Sequence, residues 1–200
     1  MHFEIDISNE QSLLSLDVQN LEAVVSHVLR VEAVADAVIS VTIVDNPRIH
    51  QINRDYLQHD YPTDVISFQL EFSSPVEQVE DADDAGEASP ELQPSGRAKG
   101  ASVEGEVIVS AEMAIEMASR GSWDPASELT LYIAHGLLHL CGYDDLCPAE
   151  KSIMRARESA VLGGLGLCPS YPDDDLDADS GTAGDADRSG PAADGGAADG

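Results

Sequence analysis

Basic side chains are scarce in this chain. Ten lysines and arginines stand against 38 aspartates and glutamates in 200 residues, a formal net charge of −28. Such a chain repels phosphate, which argues against broad, charge-driven binding of nucleic acid and leaves a local patch as the only electrostatic route to it. The deficit is uneven. Residues 171–200 carry nine aspartates against Arg188, and residues 75–100 carry seven acidic residues against Arg97 and Lys99. Long apolar runs are also missing. None approaches the roughly 18 residues of a membrane span, and no basic-plus-apolar segment marks a secretory leader. Cysteine is limited to Cys141, Cys147 and Cys168, an odd number. Together these absences predict a cytoplasmic protein with free thiols. No internal repeat divides the chain.

What is present alternates between two periodicities. "HFEIDIS" places Phe3, Ile5 and Ile7 against polar neighbours and reads as a half-buried strand. "LDVQNLEAVVSHVLR" sets Val18, Leu21, Val24, Val25, Val28 and Leu29 at helical spacing. "AVISVTIVD" is β-branched and reads as a second strand; Pro47 then opens a short helix. "DYPTD" has turn chemistry before a third strand, "VISFQLEF", and "GEVIVS" supplies a fourth. "AEMAIEMASR" reads as a helix ending at Gly121, and Pro148 opens a last one running to about Leu162. Residues 73–100 and 171–200 have too little apolar surface to offset ordering entropy. They are expected to be a disordered acidic insertion and a disordered acidic tail, around one domain spanning 1–170. The fold class predicted is α+β, a small sheet of about four strands packed with about five helices. Strand order is not legible.

One helix stands out. In "WDPASELTLYIAHGLLHLCG", Asp124 suits an N-cap, Pro125 the first helical position and Gly142 the stop. Its residues are apolar almost all round, so it should be the central, buried helix. Near its end the chain reads "HGLLHLCGYDD", residues 135–145. Residues four apart lie one turn above each other, so His135 and His139 can share one ion. Gly142 can adopt a left-handed conformation and return the chain, bringing Asp145 to the same place. Two imidazoles and a carboxylate make a three-ligand set for zinc with a position left open for water, the catalytic pattern. The alternative is a pair of ordinary helical histidines, but unpaired imidazoles are costly in so apolar a helix. Cys141 and Cys147 offer a rival thiolate site; Cys141 lies well round the helix from the histidines and reads as core. Zinc peptidases of the His-Glu-x-x-His type take their general base from the residue that is here Gly136, so proteolysis by that mechanism is disfavoured.

These residues resemble a known family. "HGLLHLCGYDD" is similar to the His-Gly-x-Leu-His-Leu-x-Gly-Tyr-Asp-His signature of the YbeY family of bacterial rRNA-maturation metalloproteins. "DYPTDVISF" (60–68), "GEVIVS" (105–110) and "SELTLYIAHG" resemble further family blocks in the same order, and the likeness covers about residues 1–165. It implies an α+β fold with the metal helix against a small mixed sheet. It further implies one zinc-like ion and single-strand-specific endoribonuclease activity, used in late maturation of 16S rRNA and in ribosome quality control. The ligands carried over are His135, His139 and Asp145. The implied partners are single-stranded RNA, the 16S rRNA precursor, and the small ribosomal subunit or its proteins. Two departures stand out. Asp145 replaces the family's usual third histidine, and Leu57 replaces an arginine that commonly follows the tyrosine at position 56. Arg54 and His59 are candidate substitutes for that arginine. Thr63, Asp64 and Ser67 read as turn and strand-end residues rather than catalysts. Two rival readings are a ribosome-assembly factor with a structural zinc and a zinc hydrolase of some other substrate.

Overall fold

The computed structural model describes residues 1–73, 96–121, 123–169 and 171. Most of the expected acidic insertion and all but one residue of the expected tail lie outside them. Four strands and five helices are present among the described residues. Strands β1 (His2–Asn9), β2 (Asp36–Val44), β3 (Val65–Ser73) and β4 (Ser102–Ser110) form one sheet in the order β1-β2-β4-β3. β1, β2 and β4 run parallel, while β3 pairs antiparallel with β4. The sheet is thus mixed, as the resemblance implied.

Helices α1 (Val18–Val31), α2 (Asn46–Ile52), α3 (Ala111–Arg120), α4 (Pro125–Leu140) and α5 (Pro148–Gly163) follow in chain order, and α2, α4 and α5 carry in their first turns the prolines that the sequence marks. Asp17 accepts hydrogen bonds from the amides of Gln19 and Asn20, and Asp45 from that of Arg48. Ser110 ends β4 and caps α3 through the Met113 amide. Each carboxylate or hydroxyl satisfies a backbone donor the helix leaves open. A π-helical turn, Asn53–Leu57, extends α2 and ends at Gln58, which is left-handed at φ 61°.

Alternation along the strands decides where the core lies. Ile39, Val41, Ile43, Val103, Val107 and Val109 share one face and are essentially inaccessible. That face meets α4, which also contacts α1, α3 and α5. The opposite face is covered less completely. There α2 contributes Ile49 and Ile52 to a small cluster with Val44, Ile66 and Ile108, whereas Val38 is exposed. Two glycines let α4 sit close to the sheet. A Cβ on Gly105 would lie 2.7 Å from Leu140 Cδ1, and one on Gly136 would lie 2.7 Å from Val107 Cγ1. The expected insertion overlaps the described residues at both ends. Ser73 ends β3, and residues 96–100 form a packed turn in which Ala98 is fully buried. Among the described residues, no helix is long and apolar enough to cross a membrane.

Candidate metal centre

α4 begins as its sequence requires. Asp124 accepts from the amides of Ala126 and Ser127, and Pro125 occupies the first turn where no amide hydrogen is needed. It ends at Leu140, and Gly142 just beyond is left-handed with a φ of 89°. There the Tyr143 amide donates back to the Leu138 carbonyl at 3.1 Å. The reversal is what brings residues 143–145 over the last turn of the helix.

His135 and His139 lie on the partly open side of α4, with side chains 22% and 27% exposed. Their Nε2 atoms face each other at 2.9 Å. Asp145 closes the triangle, with one carboxylate oxygen 3.8 Å from His135 Nε2 and the other 3.7 Å from His139 Nε2. One ligand atom from each of the three residues lies within 4.8 Å of the others. The sequence-predicted set is therefore brought together. Asp144 is turned elsewhere: its Oδ1 accepts from the amides of Asp145 and Leu146, stiffening the loop. Cys141 is buried with its thiol pKa pushed up by burial, and Cys147 is exposed; neither joins the group.

The remote nitrogens decide the chemistry of the near ones. His139 Nδ1 lies 3.0 Å from the Tyr143 carbonyl, which can only accept, so Nδ1 carries the proton. His135 Nδ1 lies 2.6 Å from the Glu158 carboxylate, which is almost wholly buried, and donates to it in the same way. In their neutral forms both imidazoles then aim bare Nε2 lone pairs at each other beside a carboxylate. Only a cation, or a proton on one ring, relieves that arrangement. Oriented histidines with carboxylate or carbonyl partners on their outer nitrogens are the usual second layer of a zinc site. The donor set fits a divalent cation that accepts nitrogen and oxygen ligands.

The pKa shifts express the same strain. Burial alone would depress His135, but the Glu158 carboxylate, aided by Asp145 and Asp64, holds it above the ordinary imidazole value. Burial and then the charge of His135 push His139 down, against the pull of Asp145. The pair divides into one ring that keeps a proton and one that sheds it.

The ligands open onto a cleft of about 500 Å³, with Leu57, Asp64, Ser67 and Gln69 on its walls. Among the described residues, no lysine or arginine lines it. Leu57, at the position where the resemblance implied an arginine, is one of the lining residues. Neither suggested substitute reaches the cleft lining: Arg54 lies beside Asp55, and His59 stacks on Tyr61. Asp64 does the turn work expected of it, accepting from the Val65 amide and the Thr63 hydroxyl. It and Ser67 nevertheless also border the cleft.

Sequence reasoning missed the layer behind the ligands. Glu158 shares a helical face with Met154, Val161 and Leu162, all buried. An acidic residue inside an apolar stripe was the available signal. Glu32 follows α1 and is wholly buried, paired with Arg157 and accepting from the Tyr143 hydroxyl at 3.2 Å. Arg97 lies 4.8 Å over the Tyr143 ring, donates to the Gly142 carbonyl and pairs with Glu150. The loop that delivers Asp145 is thereby tied to α1, to α5 and to the turn at 96–100.

Comparison with known proteins gives a consistent result. A family model described as endoribonuclease YbeY matches residues 6–166. A protein of Rhodopirellula baltica named endoribonuclease YbeY is 40% identical over 131 residues, 64% of this chain and 54% of that one. Proteins of the same name from Salinibacter ruber and Bacillus velezensis are 33% and 36% identical. They cover 83% and 85% of this chain, and 94% and 100% of their own lengths. A solution structure from Thermotoga maritima aligns over 90% of this chain and 99% of its own, at 21% identity and a TM-score of 0.47.

Proposed function

The chain belongs to the YbeY endoribonuclease family, and on that premise we propose that it is a zinc-dependent, single-strand-specific endoribonuclease. Its substrate in this reading is the 16S rRNA precursor, cut late in maturation and in ribosome quality control, in the cytoplasm and on or near the small subunit. The observation that carries the reading is the pair of Nε2 atoms 2.9 Å apart, each turned toward its neighbour by an acceptor behind its ring, lining an open cleft.

In this reading His135, His139 and Asp145 hold the ion. When bound, it supplies Lewis acidity toward a phosphodiester and lowers the pKa of water beside it. The protein's own contributions are positional. Glu158 and the Tyr143 carbonyl fix which imidazole nitrogen faces the cleft, so no reorientation is needed when substrate arrives. Asp145 adds negative charge, which makes the ion a weaker electrophile than three neutral nitrogens would. Gly136 offers no side chain to act as a base, which disfavours peptide hydrolysis of the His-Glu-x-x-His kind.

The open cleft favours catalysis over a purely structural ion, because structural zinc sites are closed by a fourth protein ligand. The test is cleavage of a single-stranded RNA by metal-loaded and chelated protein. Cleavage should require the metal and be lost in His135→Ala without loss of the folded circular-dichroism spectrum. Full cleavage by the chelated protein would overturn the reading. Ribosome-assembly activity that survives His135→Ala would favour a non-catalytic factor.

A further inference from the structure

The cleft poses an electrostatic problem that its own rim answers. A ribonucleic acid brings one negative charge per nucleotide, yet the chain has a net charge of −28 and two aspartates, Asp64 and Asp145, face the cleft. Charge beyond the ion's own therefore gives little affinity for RNA, and contacts that do not depend on it must add to what the ion supplies. Stacking of bases on flat side chains is such a contact, and it is available only where the bases are unpaired.

Residues 56–61 supply the surface. Leu57 and Asp64 both line the cleft, so the segment between them starts and ends at its edge. Within it, the rings of His59 and Tyr61 are stacked, with centroids 5.4 Å apart and planes within 10°. Tyr61 is 55% exposed, and Tyr56, just before Leu57, is 72% exposed with its ring edge-on to Phe68. Exposed aromatic rings close in the chain to cleft-lining residues leave apolar surface in water, which is unfavourable until something covers it.

The rings are also held in place. Asn53 is almost wholly buried and donates its side-chain amide to the Tyr61 carbonyl at 2.8 Å, while its own carbonyl accepts from the His59 amide. His50 anchors Asp60 at 2.8 Å. The left-handed Gln58 makes the reversal between Leu57 and His59. A loop pinned from both sides presents its aromatics already ordered, which lowers the entropic cost of binding.

We propose that Tyr56 and the stacked His59–Tyr61 pair form a nucleobase-stacking platform that seats single-stranded RNA across the cleft. The inference rests on the endoribonuclease reading for its ligand but not for its geometry. It assigns to aromatic rings a binding task that no basic side chain takes in this cleft.

The experiment uses the full chain loaded with zinc, a single-stranded RNA oligonucleotide, and a single-stranded oligodeoxynucleotide of the same sequence as a binding probe. Tyr61→Ala and His59→Ala should each raise KM on the order of tenfold, with kcat within about twofold. Tyr61→Phe should resemble the wild type, whereas Tyr61→Leu, apolar but not flat, should resemble Tyr61→Ala. Zinc stoichiometry should not change. Removing single bases from the RNA should erase the difference between wild type and Tyr61→Ala at one or two positions only. Unchanged KM in Tyr61→Ala, or an equal deficit on every abasic substrate, would overturn the platform. If the wild type binds the oligodeoxynucleotide through Tyr61 but cuts no RNA, the platform stands and the endoribonuclease reading falls. If it binds neither strand, both fall.

Discussion

Glu158 reaches His135 from inside the protein: its carboxylate, on a side chain 3% exposed, lies 2.6 Å from the Nδ1 of a ring whose other nitrogen faces the cleft. The core thus takes part in the candidate metal centre directly. Glu158→Gln keeps the shape and a weaker acceptor, and zinc affinity should fall roughly 10- to 100-fold while the fold survives. Competition against a chelator of known affinity measures it. Unchanged affinity would show that Glu158 only fills space.

Asp145 and Asp144 should behave differently although adjacent. Asp145→Ala removes an anionic donor and should lose zinc on exhaustive dialysis. Asp144→Ala removes a loop-stiffening acceptor and should keep about one equivalent. Asp145→His should retain metal and shift the pH–rate profile to lower pH, because the site's charge rises from about +1 to about +2. Loss of zinc in Asp144→Ala together with full retention in Asp145→Ala would move the ligand by one residue.

Zinc binding should release a proton. The metal-free pair holds one proton on His135 above the ordinary imidazole pKa of 6.5, and the ion needs both Nε2 atoms bare. Calorimetry in buffers of different ionisation enthalpy should therefore find more than about half a proton released at pH 6.5. The release should decline as pH rises through the raised pKa of His135, and affinity should rise with pH over the same window. No proton release at pH 6.5 would contradict the assignment.

Glu32 and Arg157 are a buried ion pair under the metal loop. Glu32→Ala leaves the Arg157 guanidinium without its carboxylate and should cost about 3–5 kcal/mol. Urea denaturation of the metal-free protein checks the size. A loss below about 1 kcal/mol would mean that Arg157 finds water.

The acidic segments should be separable from the domain at a definite point. Replacing residues 76–95 with a short Gly/Ser loop and ending the chain at Ser170 should leave the melting temperature within a few degrees of the full chain. Extending the replacement to residue 99 should lower it further, because Arg97 and the buried Ala98 are then lost. Equal melting temperatures for the two replacements would show that the turn at 96–100 adds nothing.

Local signals were legible in the sequence because they are local physics. Asp124, Pro125 and Gly142 bound α4 through hydrogen bonds within a few residues, and the histidine spacing follows from the helical repeat. The start of α5 at Pro148 and the span of α3 were equally plain. What escaped depends on partners distant in sequence. Nothing near His135 points to Glu158, 23 residues on, and nothing near Tyr143 points to Glu32, 111 residues back. The pairing of β2 with β4 rather than β3 is likewise a choice among similar β-branched strands. Gly96–Gly100 has a loop's composition and reads with the insertion, while its packing rests on Tyr143, Glu150 and Glu32.

Gly136 has a consequence on a longer timescale. It occupies the position from which a helical zinc peptidase would offer its glutamate, and it is also where α4 rests on Val107 and Val65. A lineage carrying this centre cannot try the other chemistry by changing one codon, since any side chain there would lift the helix and displace His135 with it. The two catalytic designs share a spacing of histidines but are not neighbours in sequence space. A contact of a few ångströms between a helix and a sheet keeps them apart.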